Sequence, residues 1–178
     1  IIMGFSDITS LLIAIYSQSH LVTFHGPVGI SSWTPFTLDH SQEILMKSSS
    51  PLLRNLPQIP VETIYPGVVQ GQLLGGNLSV LAAMMGSIYL PDWRGKILFI
   101  EEINEEIYRV DRLLTQLKLA GVLAKISGFI WGQCRQCTAE NPSESLTLKQ
   151  VLEDHILPLK IPAWSGSMIG HIDNMFTL

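Results

Sequence analysis

Cysteine is scarce: 178 residues contain two, Cys134 and Cys137, both in "CRQC". That count excludes a disulfide framework, and the lack of a second pair at matching spacing excludes a zinc ribbon. The pair is expected to be two free thiols at the end of a strand, in a reducing compartment. A redox CxxC ordinarily opens a helix, whereas "TAENPSES" downstream reads as loop. Charge is equally sparse. Eleven Lys and Arg against fifteen Asp and Glu leave a formal net charge of -4, so no basic field exists to hold a nucleic acid or an anionic membrane surface. Long apolar runs are missing too. The apolar opening is broken by Gly4, Ser6, Asp7 and Thr9 and has no basic flank, which fits neither a signal peptide nor a membrane span. The expected location is the cytoplasm. No internal repeat or low-complexity tract is visible.

What is present is ample apolar content, 47% of residues, enough for one well-buried domain. "IIMGFSDITSLLIAIY" changes period abruptly at Ser6 and Asp7. Before them lies a strand-like run; after them Ile8, Leu11, Leu12 and Ile15 recur at helical spacing on one face. "LVTFHGPVG" reads as a second strand with His25 at its mouth. Ser, Pro and Asn then dominate to Tyr65, with a short helix expected around Leu38 to Lys47. "VVQGQLLGGNLSVLAAMMG" combines a short strand, a Gly75-Gly76 turn, an Asn77 cap and a helix burying Leu78, Leu81, Ala82 and Met85. Lys96 to Ile100 is a buried strand delivering Glu101 and Glu102 at its end. "EEIYRVDRLLTQLKLAG" is a helix with Val110, Leu113, Leu114 and Leu117 inward and Gly121 as its stop. "AKISGFIWG" is a strand, "TLKQVLEDHI" a helix, and "KIPAWSG" leads to a final loop with His171. Strands alternating with helices give an α/β class, a mostly parallel sheet flanked by helices.

Reactive groups in such sheets gather at the carboxyl ends of strands. Three of those positions hold Ser6, Glu101 and His171, the composition of a serine-hydrolase triad. A serine needs a base to take its proton, a histidine is the base matched to neutral pH, and a carboxylate fixes the histidine's tautomer. The helix after Ser6 aims its first N–H groups and its dipole at that residue, so the Asp7 amide is a candidate oxyanion donor. Ser6 also reads simply as an N-cap, and "GFSD" departs from the G-x-S-x-G elbow. His25 either lines the pocket or is a strand-end histidine bonded to backbone; the second is expected, near this site. His20, His40 and His155 read as surface residues with no metal spacing. "GGNLS" lacks the Lys-Ser/Thr pair of a phosphate cradle and reads as a turn capping a helix. Arg109, Asp111 and Arg112 read as surface ion pairs, and Trp93, Trp131 and Trp164 as core or pocket wall.

"GFSDIT", "TFHGP", "GQLLGGNLSVL", "IYLPDWRGKILFIEE", "YRVDRLLTQL" and "GHIDNMFTL", in that order, resemble successive motifs of the LD-carboxypeptidase family, which includes muramoyltetrapeptide carboxypeptidases and microcin C immunity peptidases. The resemblance runs from the first residue to the last. It implies a cytoplasmic Ser-Glu-His peptidase that cuts an amide next to a free C-terminal carboxylate, without metal or organic cofactor. Carried over by motif, Ser6 is the nucleophile, the Asp7 amide an oxyanion donor, Glu101 the orienting acid and His171 the general base. Glu102 is the alternative acid, because two acids stand where the motif usually has Glu then Asp; adjacent strand residues face opposite sides, so only one reaches His171. Gly75, Gly76 and Asn77 are implied to lie by the pocket wall. Residues 1–178 are expected to be the nucleophile-bearing and C-terminal part of such a unit, without the family's N-terminal portion. That portion carries a glycine-rich turn lending the other oxyanion amide, and losing one such donor costs about a hundred- to a thousandfold in rate. The implied substrate is a murein tetrapeptide ending in D-alanine. The alternatives are a peptide-nucleotide antibiotic, which an aromatic placed to stack on a nucleobase would distinguish, Trp164 and Trp33 being the residues whose placement decides it, or a catalytically inactive fragment or binding remnant without turnover. A homodimer is expected from the family alone.

Overall fold

A computed structural model describes residues 1–47 and 49–178. The chain starts with a two-residue strand, β1 (Met3–Gly4), a single 3-10 turn at Ser6–Ile8, and helix α1 (Thr9–Ser19). Strand β2 (Phe24–His25) pairs parallel to β1. Helix α2 (Pro35–Leu45) begins where the sequence supplies a cap, the Thr34 side chain accepting from the Thr37 N–H, with proline in the first turn. Then follow β3 (Glu62–Tyr65), β4 (Leu73–Asn77), α3 (Leu78–Ala83), β5 (Ile97–Ile103), α4 (Ile107–Leu119), β6 (Gly128–Arg135), α5 (Leu148–Ile156) and β7 (Ala163–Ser165). The capping box of Thr147 and Gln150 starts α5.

The main sheet has the order β3-β7-β6-β5-β4, parallel from β4 through β7, with β3 antiparallel at one edge. The alternation of side chains sorts the central strands onto two faces. Leu98, Ile100, Phe129 and Trp131 meet α3, α4 and α5 through Leu81, Val110, Leu114, Leu117, Val151 and Ile156. Phe99 and Ile130 point the other way, against Met168, Ile169 and Phe176. On that second face the last residues of the chain are tied to β2, His25 and Leu178 exchanging both backbone hydrogen bonds at 3.0 and 2.9 Å.

Several expectations are corrected here. Leu11 does not face inward but is 56% exposed, the buried side of α1 being Thr9, Leu12 and Ile13. Gly75 and Gly76 are not a turn. They lie inside β4, where a Cβ on Gly75 would stand 1.7 Å from the Phe99 carbonyl oxygen and one on Gly76 2.4 Å from Thr9 Cγ2; the strand and the start of α1 close to a distance that only glycine permits. β3 lay hidden in the Pro- and Ser-rich stretch. His155 is buried, with Nε2 2.8 Å from Asp111 Oδ1, so Asp111 serves the α4–α5 contact rather than its helix neighbours. His40 is half-buried against Phe36 and Phe176, and its Nδ1 donates to the Phe36 carbonyl at 2.8 Å.

Candidate active site

The nucleophile candidate sits at an elbow. Phe5 is extended (φ -151°, ψ -172°) and Ser6 turns into the left-handed region at φ 58°, a conformation that costs a non-glycine residue about 1–2 kcal/mol. Such strain in a strand-to-helix turn is what a serine held clear of its sheet requires. Two contacts fix the turn behind it, the Ile8 N–H donating to Phe5 O at 3.1 Å and Ser10 Oγ donating to Asp7 O at 2.8 Å. The N-cap position of the turn is Phe5 and Ser6 is its first residue, so Ser6 is not the N-cap that the sequence also allowed.

Glu101 and Glu102 part company as their strand face dictates. Glu101, 0% exposed, lies on the Phe99 side, and its Oε2 is 2.7 Å from His171 Nδ1. Glu102 lies on the helix side and accepts from Asn77 Nδ2 at 2.9 Å, from the Ser79 N–H at 2.8 Å and from Ser79 Oγ at 2.6 Å. Glu102 therefore holds the start of α3, and Glu101 alone of the two meets the histidine. An ionised carboxylate only accepts, so toward it Nδ1 is the donor, which in a neutral imidazole leaves the lone pair on Nε2.

The His171 ring is held edge-on by Phe5, centroids 4.8 Å apart, so the residue next to Ser6 touches the histidine directly. Gly170, at φ 111°, precedes it, and a Cβ there would fall 2.5 Å from Glu101 Oε2; the residue's freedom lets the loop lie on the carboxylate. A bulge between β5 and β6 beyond Ile100 turns the Gln133 N–H out of the sheet ladder toward Ile169 O, 2.9 Å away. Arg135 Nη1 donates to the His171 carbonyl at 3.1 Å. Phe5, Gly170, Gln133 and Arg135 escaped the sequence reading; only their adjacency to Ser6, His171 and "CRQC" hinted at them.

His25 is 3% exposed and packs edge-on against Phe99 and Phe5, centroids 5.1 and 6.3 Å apart. Its ring is not bonded to backbone as expected: neither nitrogen has a partner among the described residues. Burial, and after it the neighbouring His171, hold its pKa down to about 3. Asn77 is buried as a cap, accepting from the Val80 N–H at 3.2 Å, while its own N–H donates to Thr9 Oγ1 at 3.1 Å. A cavity of about 490 Å³ opens over the second sheet face, lined by Leu56, Ile130, Trp164, Ser167 and Phe176 among others; Ser6, Glu101 and His171 are not in its lining. Trp93 and Trp131 are buried in the core, and Trp33 is exposed. Arg112 lies over the Tyr108 ring at 5.0 Å, and Arg109 stands 3.7 Å from Glu105.

The family model for the LD-carboxypeptidase C-terminal domain matches residues 70–178. The chain belongs to the LD-carboxypeptidase family. It is 39% identical to the probable murein peptide carboxypeptidase of Bacillus subtilis over 176 residues, covering 96% of this chain and 54% of that protein. It is 30% identical to the microcin C7 self-immunity protein MccF of Escherichia coli, covering 100% of this chain and 60% of that one. Among solved structures, muramoyltetrapeptide carboxypeptidase from Oxalobacter formigenes superposes with TM-score 0.85 at 31% identity, over 99% of this chain and 60% of that one. MccF in complex with glutamyl sulfamoyl guanosine superposes with TM-score 0.87 at 29% identity, over 100% and 62%. The chain thus spans a little over half the length of the curated relatives it matches, and the parallel sheet flanked by helices is the family's architecture.

Proposed function

We propose that the protein is a serine LD-carboxypeptidase that removes a C-terminal D-amino acid from a murein tetrapeptide. The observation that carries this reading is the 2.7 Å hydrogen bond between His171 Nδ1 and the fully buried Glu101, beside an elbow that holds Ser6 at φ 58°. With Nδ1–H given to Glu101, His171 Nε2 takes the Ser6 proton as Oγ attacks the carbonyl carbon before the terminal residue. The oxyanion that develops lies at the start of the helical segment, where the Asp7 N–H donates to it and the dipole favours negative charge. His171 then gives its proton to the leaving amine, and the D-amino acid departs. Water, deprotonated by the same Nε2, attacks the acyl ester and frees Ser6. Glu101 stabilises the imidazolium in both steps. Its burial raises the strength of that interaction because little water screens it.

Identity favours the murein substrate, 39% to the Bacillus subtilis relative against 30% to MccF. A second reading keeps the triad and takes an aminoacyl-nucleotide, on the evidence of the superposition with liganded MccF and of Trp164 in the cavity beside the His171 loop. Cytoplasmic murein recycling and a homodimer complete the first reading. The test is release of free D-alanine from a murein tetrapeptide by the parent protein and its Ser6→Ala variant, with an aspartyl sulfamoyl adenosine as the competing substrate. D-alanine released by the parent only is the expected result. Release at the same rate from the variant would reject the Ser6 mechanism, and turnover of the nucleotide alone would replace the substrate.

A further inference from the structure

The loop that carries His171 is fastened to the end of β6 residue by residue. The Gln133 N–H donates to Ile169 O at 2.9 Å, and its side-chain amide donates to Gly166 O at 2.8 Å and Ser167 O at 3.2 Å. Two residues on, Arg135 Nη1 reaches the His171 carbonyl. The same segment is tied to the strand of Glu101 through the Asn104 N–H, which donates to Arg135 O at 2.9 Å. Cys134 and Cys137 bracket the exposed Arg135 and Gln136, and the two sulfurs are bonded to each other; the expectation of two free thiols is corrected by that bond. Gln136 holds the left-handed conformation at φ 57°. The Cys137 N–H to Cys134 O contact across the turn is 3.4 Å, too long to secure such a conformation unaided. The cross-link spans the turn from which Arg135 projects and adds a covalent closure to that weak contact.

We propose that Cys134 and Cys137 form a thiol–disulfide exchange site for low-molecular-weight thiols and disulfides, and that its oxidised form clamps the His171 loop. The consequence for activity rests on the reading of His171 as general base; the clamp itself does not. In the reducing direction a thiolate of the small-molecule thiol attacks one sulfur. The Cys134–Cys137 bond breaks, and its electron pair stays on the departing sulfur, which is then protonated. A second small-molecule thiol resolves the mixed disulfide, so two thiols become one disulfide as the protein gains two thiols, and oxidation is the reverse. The segment is no oxidoreductase motif. The pair ends a strand, and the next α-helix starts only at Leu148, so no helix N-terminus lowers a thiol pKa as in catalytic CxxC sites. Its role is that of a switch set by the redox poise of its surroundings. Closing a four-residue ring restrains the open chain by an amount equivalent to about a twentyfold change in the opening equilibrium.

The experiment equilibrates the protein in glutathione buffers of defined reduced-to-oxidised ratio, counts free thiols by alkylation and mass, and follows amide hydrogen exchange by NMR. On reduction the Gln133 and Asn104 amides are expected to exchange about twentyfold faster, while Leu98 and Ile100 in the sheet interior keep their rates. Cys137→Ala should show the fast rates in both buffers, with Cys134→Ala as the second variant should the first fold poorly. Equal rates at Gln133 and Asn104 in forms shown by mass to be disulfide and dithiol would overturn the proposal. So would failure of the pair to oxidise in excess glutathione disulfide. Labelling of Ser6 by a serine-directed phosphonate, measured in the same buffers, should slow on reduction. Its absence from both forms would remove the triad reading, and the amide rates would still decide the clamp.

Discussion

His25 makes the acid stability of this fold calculable. Its imidazole is buried without a partner among the described residues, and its pKa is held down to about 3 by burial first and by His171 second. In the unfolded chain the same ring titrates at its ordinary value of 6.5. Above that value both states are neutral and His25 contributes no pH dependence. As the pH falls below it, the unfolded state binds a proton that the folded state refuses, so stability is lost at about 1.4 kcal/mol per pH unit until the folded pKa is reached. Between about pH 7.5 and about pH 5 the loss from this one residue is about 2 kcal/mol. Urea unfolding of the parent and of His25→Leu at both pH values isolates it, because every other titrating group contributes alike to both proteins. The parent should lose about 2 kcal/mol more than the variant over that interval, whatever the substitution does to stability at neutral pH. Equal acid sensitivity would show that the imidazole is solvated or bonded in the folded state and would refute its burial against Phe99 and Phe5.

Other substitutions separate the roles of neighbouring residues. Glu101→Gln should leave the fold intact and cut turnover about 10³- to 10⁴-fold, read as kcat on the tetrapeptide, because the imidazolium loses its buried counter-charge. Glu102→Gln should do the opposite, lowering unfolding free energy by about 2 kcal/mol through its weakened bonds to Asn77 and Ser79 while kcat changes far less. A larger kcat effect at Glu102 would reverse the assignment. Gly170→Ala places a methyl group 2.5 Å from Glu101 Oε2 at a φ of 111°, so a fall in kcat with little change in KM is expected in steady-state assays.

The parts of the site that could be read from sequence were those set by local pattern. The period change at Ser6 and the buried run ending in two acids are properties of a few adjacent residues, and both features stand in the structure. The choice between Glu101 and Glu102 was not local, since it depends on which sheet face receives the His171 loop, some seventy positions away in the chain. Gly75-Gly76 misled because paired glycines ordinarily mark a turn; here they answer to a backbone from β5 and a side chain from α1 pressed against β4. His155 misled for the same reason, its partner Asp111 lying on another helix. β3 was invisible because a four-residue edge strand among prolines has no period of its own, and the antiparallel pairing with β7 supplies its order. The disulfide was discounted on compartment and on the loop that follows it, neither of which records where the two sulfurs come to rest.

The central claim is that Ser6 is an activated nucleophile, and mass spectrometry of the intact protein after incubation with a serine-directed phosphonate tests it most directly. The account predicts a single adduct on the parent, none on Ser6→Ala, and slower labelling of Glu101→Gln, whose histidine has lost its orienting charge. An unlabelled parent that is folded, or an adduct that persists in Ser6→Ala, would contradict it.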